Sequence, residues 1–426
     1  MAEQLRAAAE GRDVTASPAT AVDEPEKAVG RRLRVLTLAR SFPSGVFPEL
    51  GLWTERPTQR ISESCDVQVI SPVPYCPPLP QRGPLRQYAR FRQVHRDESR
   101  GEVRVRRPRF FVGPGSSLYR FEARAYALGI RRTAERIHAD TPIDLIHAHF
   151  IYPDGVAGHE LAQRWNIPLV ITEHAPWTGW LDRPGVRGPA LMAARDAARL
   201  IAVSSYVRDS IVAYTGDPDR VVVIPNGVDP TMYRLGHAEA RNPGQILYVG
   251  VINFNKGIDI LLESMRGVLR ERPDARLVLA GGSFYRNTRL QQEALERQAA
   301  DLGLGDRVRF IGHRTPTEIA RLMAESVVVV LPSRAESFGS VLIEALACGT
   351  PVVSSRSGGP EDIVDESVGK LVPKEDPAAL ARALVEVLDT PERYDPESTR
   401  RRVLERFGWE SIVARTLEVY RDVVTP

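Results

Sequence analysis

VVVVLPSRAESFGSVLIEALACGTPVVSS, residues 327–355, decides the fold class. The opening VVVVLPS is almost continuously apolar and β-branched, the pattern of a strand buried on both faces in a parallel sheet. SVLIEALACG reads as a helix closed by Gly349, and PVVSS as the next strand. Strand, turn, helix and strand within this length make a βαβ unit.

The same unit recurs in both directions. LRVLTLA (33–39), DVQVIS (66–71), DLIHAHF (144–150), PLVITEH (168–174), RLIAVS (199–204) and VVVIPNG (221–227) read as buried strands, with helices at 119–139 and 155–165. The pattern restarts at Arg241-Asn242-Pro243-Gly244. A second set follows: QILYVG (245–250), RLVLAGG (276–282), RVRFIGH (307–313) and the quoted pair, with helices at 258–270, 290–302, 316–323, 341–347 and 377–388. The expected fold class is therefore α/β, two doubly wound parallel-sheet domains facing across a cleft. The expected divisions are a disordered leader at 1–30, a first domain at 31–240, a second at 241–405, and a helix at 406–426 after a charged linker.

Composition narrows the function classes. Hydrophobic residues are 43% and charged residues 26%, ordinary for a soluble globular chain. The net charge of +3 does not argue for nucleic-acid binding. The charge is uneven, however. Between Arg82 and Arg136 stand fifteen Arg against five acidic residues. Such a segment suits an anionic membrane surface or a phosphorylated substrate, and equally a solvated Arg-rich face. Three Cys with no C-x-x-C give neither a disulfide framework nor a zinc site. No apolar run is long enough to span a bilayer and no signal-peptide core is visible, so the expected location is cytoplasmic, peripheral on a membrane at most.

Doubly wound sheets bind ligands at the carboxyl ends of their strands, so polar residues there are the site candidates. Glu336 and Glu344 stand eight positions apart across Ser337-Phe338-Gly339. A carboxylate in an apolar run is costly unless something binds it. The N–H groups from Phe338 through Gly339 and Ser340 to Val341 form a natural diphosphate cradle at a helix start. Glu336 is placed for sugar hydroxyls and Glu344 for a ribose diol. Singly, each reads as well as a helix-dipole or salt-bridged residue. His147 and His149 share one face of a strand end, and Glu173-His174 ends the next strand. His149 faces the expected cleft. Strand end Gly250 leads through Val251 to Lys256-Gly257 before a helix, where Lys256 can neutralise a phosphate. There is neither a Walker A pattern nor G-x-G-x-x-G. Asp217-Pro218-Asp219 has metal-motif spacing but sits in turn composition, so it reads as structural.

Taken together, the Glu-x7-Glu stretch ESFGSVLIEALACGTPVVSS closely resembles the signature of retaining glycosyltransferase family 4. IPNGVDP (224–230), VGVINFNKG, RVRFIGH and SGGPEDIV (357–364) fit the same family. RSFPSGVFPELGLW (40–53) and HAHFIYPDG (147–155) resemble members that build bacterial surface polysaccharides. The resemblance runs from about Arg32 onward and implies a GT-B fold of two Rossmann-like domains. It further implies a nucleotide diphosphate sugar donor, a glycan or lipid-linked acceptor, retention of configuration, and no metal or other cofactor. It puts Glu336 and His149 at the reacting sugar. Lys256, Gly250, Val251, Ser337, Phe338, Gly339, Ser340, Val341 and Glu344 fall on the donor. One departure stands out: the family usually carries Arg where this chain has Val251. Arg314, Arg286 and Arg40 are the candidates to replace that cation, with Gly51 and His174 further phosphate or acceptor candidates. Other readings are sucrose- or sugar-phosphate-type synthesis and a catalytically weak scaffold of a polysaccharide assembly complex.

Overall fold

The computed structural model describes residues 31–77, 89–113, 119–236, 241–282 and 286–425, with the backbone alone at 286–288. The 1–30 leader and stretches 82–88 and 114–118 of the Arg-rich segment lie outside the described residues.

The first lobe is built from β1 (Arg34–Leu38), α1 (Leu52–Ser62), β2 (Asp66–Ile70), β3 (Val73–Pro74), β4 (Asp97–Arg100), β5 (Val103–Arg106), β6 (Arg109–Phe110), α2 (Glu122–Asp140), β7 (Leu145–His149), α3 (Val156–Trp165), β8 (Leu169–Glu173), α4 (Arg187–Asp196), β9 (Arg199–Ala202), α5 (Ser205–Thr215) and β10 (Val221–Val223). Its eight-stranded sheet runs β10-β9-β8-β7-β1-β2-β5-β4. Every pair is parallel except the hairpin of β4 and β5. Strand order reverses at β1, which lies between β2 and β7. The crevice outside the ends of β1 and β7 is where such a sheet takes a ligand.

The second lobe holds β11 (Gln245–Val249), α6 (Ile258–Glu271), β12 (Arg276–Ala280), α7 (Arg286–Asp301), β13 (Val308–Gly312), α8 (Pro316–Glu325), β14 (Val328–Leu331), α9 (Ser340–Ala347), β15 (Val352–Ser355), β16 (Gly369–Val372) and α10 (Pro377–Asp389). Its sheet, β13-β12-β11-β14-β15-β16, is parallel throughout. The Val-rich strands are fully buried because helices cover both faces. Side-chain caps start the helices: Ser204 on α5, Thr315 with Glu318 on α8, and Asp376 on α10.

Several features differ from the sequence reading, which did not name β16 or the two-stranded β3–β6 sheet. The charged linker is itself a helix, α11 (Pro396–Phe407), capped by Asp395. Its polar composition hid it, since it buries only Thr399, Val403 and Phe407. The β4–β5 hairpin was also missed, because its outer strand, Asp97–Arg100, is polar throughout and buries no residue. From Leu33 onward the described chain is one compact unit. After α11 the chain crosses back as α12 (Trp409–Val424). Trp409, Ile412, Leu417, Val419 and Tyr420 of α12 join one apolar cluster with Val35, Val67 and Val69 of β1 and β2. The outgoing and returning crossings lie side by side, Val228 bridging to Gly408. Gly227 is required there: a Cβ would sit 2.3 Å from the Trp409 ring.

Candidate active site

The carboxyl edges of the two sheets face each other. Ser204, just after β9, donates its hydroxyl to the Ser337 carbonyl after β14, at 2.5 Å. The Ser205 N–H donates to Asp362 Oδ2 at 2.5 Å. His313, after β13, meets Glu49, after β1, at 2.8 Å. Asn226 Nδ2 reaches Ser340 Oγ at 3.4 Å.

On the second lobe, Lys256 Nζ lies 2.6 Å from Glu336 Oε2, and Ser333 Oγ adds a bond at 3.3 Å. Both sites arise from loops pressed together. Gly257 has φ +68°, and a Cβ there would lie 1.9 Å from the Pro332 carbonyl oxygen. Arg334 locks the two loops: it grips Asp259 with two bonds of 2.8 Å, pairs with Glu375 at 2.9 Å, and bonds the Phe254 carbonyl. Glu336 also forms a bridge to Gly358, its N–H to Ser357 O at 3.0 Å and its carbonyl taking Gly359 N–H at 2.9 Å. Gly339, at φ +97°, starts α9 without a side-chain cap. The N–H groups of the first turn, Ser340 and Val341 among them, have no partner within the helix. Phe338 is buried and packs edge-on against Phe407, so its ring is a fastening for the turn.

Glu344 lies one turn into α9. It faces Arg56 of α1 at 3.7 Å and takes a hydrogen bond from Tyr233. Burial pushes its carboxyl up; Arg56 and Tyr233 push it back down.

On the first lobe, burial favours the neutral forms of the three histidines, Glu173 and Asp154. His149 Nδ1 bonds His174 Nε2 at 3.0 Å, the two rings stacked 5.3 Å apart. His147 bonds Tyr420 of α12 at 2.6 Å and Thr172 at 2.7 Å. Burial lowers His147 and His174 to about 3 and holds His149 well below the usual imidazole range. Phe150 turns the chain at φ +72°, and the following Ile151 N–H donates to buried Glu173 at 2.9 Å. Burial raises Glu173 to about 7 against hydrogen bonds from Trp177, Ile151 and His174. Asp154 behaves alike, raised to about 7 by burial while accepting from Tyr126 Oη and the Arg40 N–H, each at 2.6 Å.

The expected replacements for the missing cation fare differently. Arg40 is committed to an ion pair with buried Glu122. Arg314 bonds the carbonyl of its neighbour His313. The Arg286 side chain lies outside the described residues. Gly250, at φ +150°, and half-buried Val251 follow β11, and the Val251 carbonyl accepts from Tyr248. Gly51 is the left-handed N-cap of α1, where a Cβ would lie 2.1 Å from the Ser41 carbonyl oxygen. His174 is the partner of His149 through its Nε2. Asp217 accepts from the Asp219 N–H at 3.2 Å, a turn, and no metal-ligand cluster occurs among the described residues. Sequence reasoning missed Arg56, Tyr233 and Arg334. Arg334 stood inside the quoted stretch, whereas Arg56 and Tyr233 had no local signal, because only the tertiary fold brings them to Glu344.

Residues 233–402 match the family described as Glycosyl transferases group 1, and residues 56–232 match Glycosyltransferase Family 4. A D-inositol 3-phosphate glycosyltransferase of Acidothermus cellulolyticus is 36% identical over 66% of this chain and 67% of its own length. One from Frankia alni is 33% identical over 74% and 84%. Among solved structures, Anabaena Alr3699/HepE in complex with UDP and glucose superposes with TM-score 0.68 at 21% identity, covering 92% of this chain and all of that one. Sucrose-phosphate synthase from Thermosynechococcus elongatus gives 0.73 at 24% identity, covering 92% and 99%. With its two facing, mainly parallel sheets and these relatives, the chain belongs to glycosyltransferase family 4 and has the GT-B fold.

Proposed function

We propose that this glycosyltransferase moves a hexosyl group from a nucleotide diphosphate sugar to a glycan or lipid-linked hydroxyl, with retention at the anomeric carbon and without a metal. The observation that carries the reading is the Lys256–Glu336 pair beside the open N-terminus of α9. A departing diphosphate needs positive charge and N–H donors, and Lys256 with the first-turn amides supplies both. Pairing with Glu336 keeps Lys256 compensated before the donor arrives. Glu336 then accepts hydrogen bonds from sugar hydroxyls and stabilises positive charge developing on the ring. The sugar C1–O bond to the phosphate breaks, the acceptor oxygen bonds C1 on the same face, and its proton passes to the leaving phosphate. Neutral His149 offers a hydrogen bond without placing a charge beside the departing group.

The test is sugar transfer from UDP- and GDP-sugars in chelator, with the product anomer read by NMR. Nucleoside diphosphate release unchanged in Glu336→Gln rejects the role given to Glu336, and no release from wild type with any donor favours a scaffold.

For the acceptor, the basic segment supplies a second observation. Several of its Arg are spent internally: Arg107 is buried on Phe42 and Pro43 carbonyls, and Arg100 pairs with Glu55 and Glu98. Arg124, Arg131 and Arg132 of α2 and Arg120 just before it are exposed, beside exposed Phe121 and Leu128, and Arg131 pairs only with Glu135 at 3.8 Å among the described residues. That mixed face suits an anionic lipid surface that would present a lipid-linked acceptor. Among the described residues no helix is long and apolar enough to cross a membrane. Cosedimentation with anionic vesicles that survives Arg124→Glu/Arg131→Glu/Arg132→Glu would count against docking there. The names of the relatives favour a second acceptor reading, a small phosphorylated cyclitol, which a soluble acceptor screen separates from the first.

A further inference from the structure

We infer that Arg56, on the first lobe, is a positioning residue for the nucleotide ribose: it holds Glu344 of the second lobe in place and ionised, so that ribose recognition is shared between the lobes. The inference rests on the reading that Glu344 binds the ribose diol.

Glu344 occupies a nearly closed position, with only 17% of its side chain exposed. An isolated carboxylate there would favour its neutral form, and a protonated carboxyl has fewer lone pairs for a diol. Two groups oppose that. Tyr233, from the segment connecting the lobes, donates its hydroxyl. Arg56 is the cation paired with Glu344 among the described residues, from the second turn of α1, at 3.7 Å from Glu344 Oε1. The other titratable groups facing this carboxylate are weaker influences: Cys348, one turn further along the same helix, is a buried thiol held neutral, with Arg400 behind it. Arg56 has no second acid competing for it in the described structure, whereas Arg40 and Arg334 are committed to Glu122 and to Asp259 with Glu375. Arg60, one turn on, reaches towards Asp229 of the connecting segment at 4.0 Å. So α1 leans one basic stripe on the second lobe and the connection to it. Glu344 therefore meets its cation only while the lobes hold this arrangement.

A merely structural Arg56 would add stability and nothing more. A positioning Arg56 affects the choice between ribose and 2′-deoxyribose. The experiment is calorimetric binding of UDP, GDP and ADP, each beside its 2′-deoxy counterpart, to wild type, Glu344→Gln, Arg56→Gln and Arg56→Lys, from pH 5 to 8. With the diphosphate that binds wild type, Glu344→Gln should reduce the ribose preference about tenfold or more, the value of a lost hydrogen bond to a charged group. Arg56→Gln should lose at least a third of that preference on a logarithmic scale. Its ribonucleotide affinity should also fall at a higher pH than wild type, since the carboxyl then protonates more readily. Arg56→Lys should recover most of both. If Glu344→Gln abolishes the preference while Arg56→Gln keeps wild-type preference and pH dependence, Arg56 has no such role and the ribose reading of Glu344 stands. If Glu344→Gln keeps the full preference, or no diphosphate binds wild type, the ribose reading falls and the inference falls with it.

Discussion

The two sheet edges are built on opposite electrostatic plans. On the second lobe, partly buried charges answer each other: Lys256 with Glu336, Arg334 with Asp259 and Glu375. On the first lobe the titratable groups are driven toward neutrality by burial. His147 and His174 lie at about 3, and Asp154 and Glu173 at about 7. Under the proposed function, the edge that receives the diphosphate keeps its charges, while the edge that meets uncharged hydroxyls gains from hydrogen-bonding groups that carry none.

The largest expected effect breaks the charged edge. Lys256→Ala and Glu336→Gln should each lower kcat by roughly 10²–10³-fold, the scale of removing one preorganised electrostatic contact at a reacting centre. Steady-state transfer assays check this, and a change under threefold in both would refute the charged-edge account. Next is the frame that holds those charges. Gly257→Ala must place a Cβ against the Pro332 carbonyl in a left-handed conformation. We expect a loss of about 3 kcal/mol in urea melts, from strain and displaced backbone.

The neutral edge has its own test. A carboxyl raised to about 7 in the folded state and titrating near 4 when unfolded stabilises the fold most at low pH. That contribution is lost as pH rises from about 4 through about 7. Asp154→Asn keeps an acceptor for Tyr126 and the Arg40 N–H and removes the titration. The variant should be more stable than wild type at pH 8, by roughly 2 kcal/mol, and the difference should shrink toward pH 5. An unchanged pH slope would show that Asp154 is not the neutral group described here. The smallest effect sharpens the contrast. Val251→Arg adds a cation to the charged edge, beside half-buried backbone, and should tighten nucleoside diphosphate binding by about 3–10-fold. No gain would mean that the position no longer faces the phosphates.

Much of the fold was legible because its strands are buried on both faces. Runs such as VVVVL and RLVLA carry no polar alternation, so they read as parallel-sheet strands. The elements that escaped are those whose stability is tertiary. Helix α11 hides three buried residues among many charges, and strand β4 is an exposed edge. The site divides the same way. Lys256 and Glu336 were readable from local loop chemistry at strand ends, although 80 residues separate them. Their direct pairing was not, nor was Arg56 beside Glu344. A contact between distant segments leaves no periodicity in either one. Val251 was legible as a departure, but the partners that Arg40 and Arg314 take were visible only in three dimensions.

The return of α12 to the first sheet has a consequence for how the chain is made. Strands β1 and β2 emerge early from the ribosome, but part of the apolar cover over Val35, Val67 and Val69 arrives with Trp409, Ile412, Leu417 and Tyr420. The second lobe has its sheet and α10 complete before that. We therefore expect the order of maturation to run against the order of synthesis, the later-made lobe settling first. A nascent chain halted near residue 400 would then hold a protease-resistant second lobe and an exposed first one, a state that chaperones would recognise and that finished protein would not show.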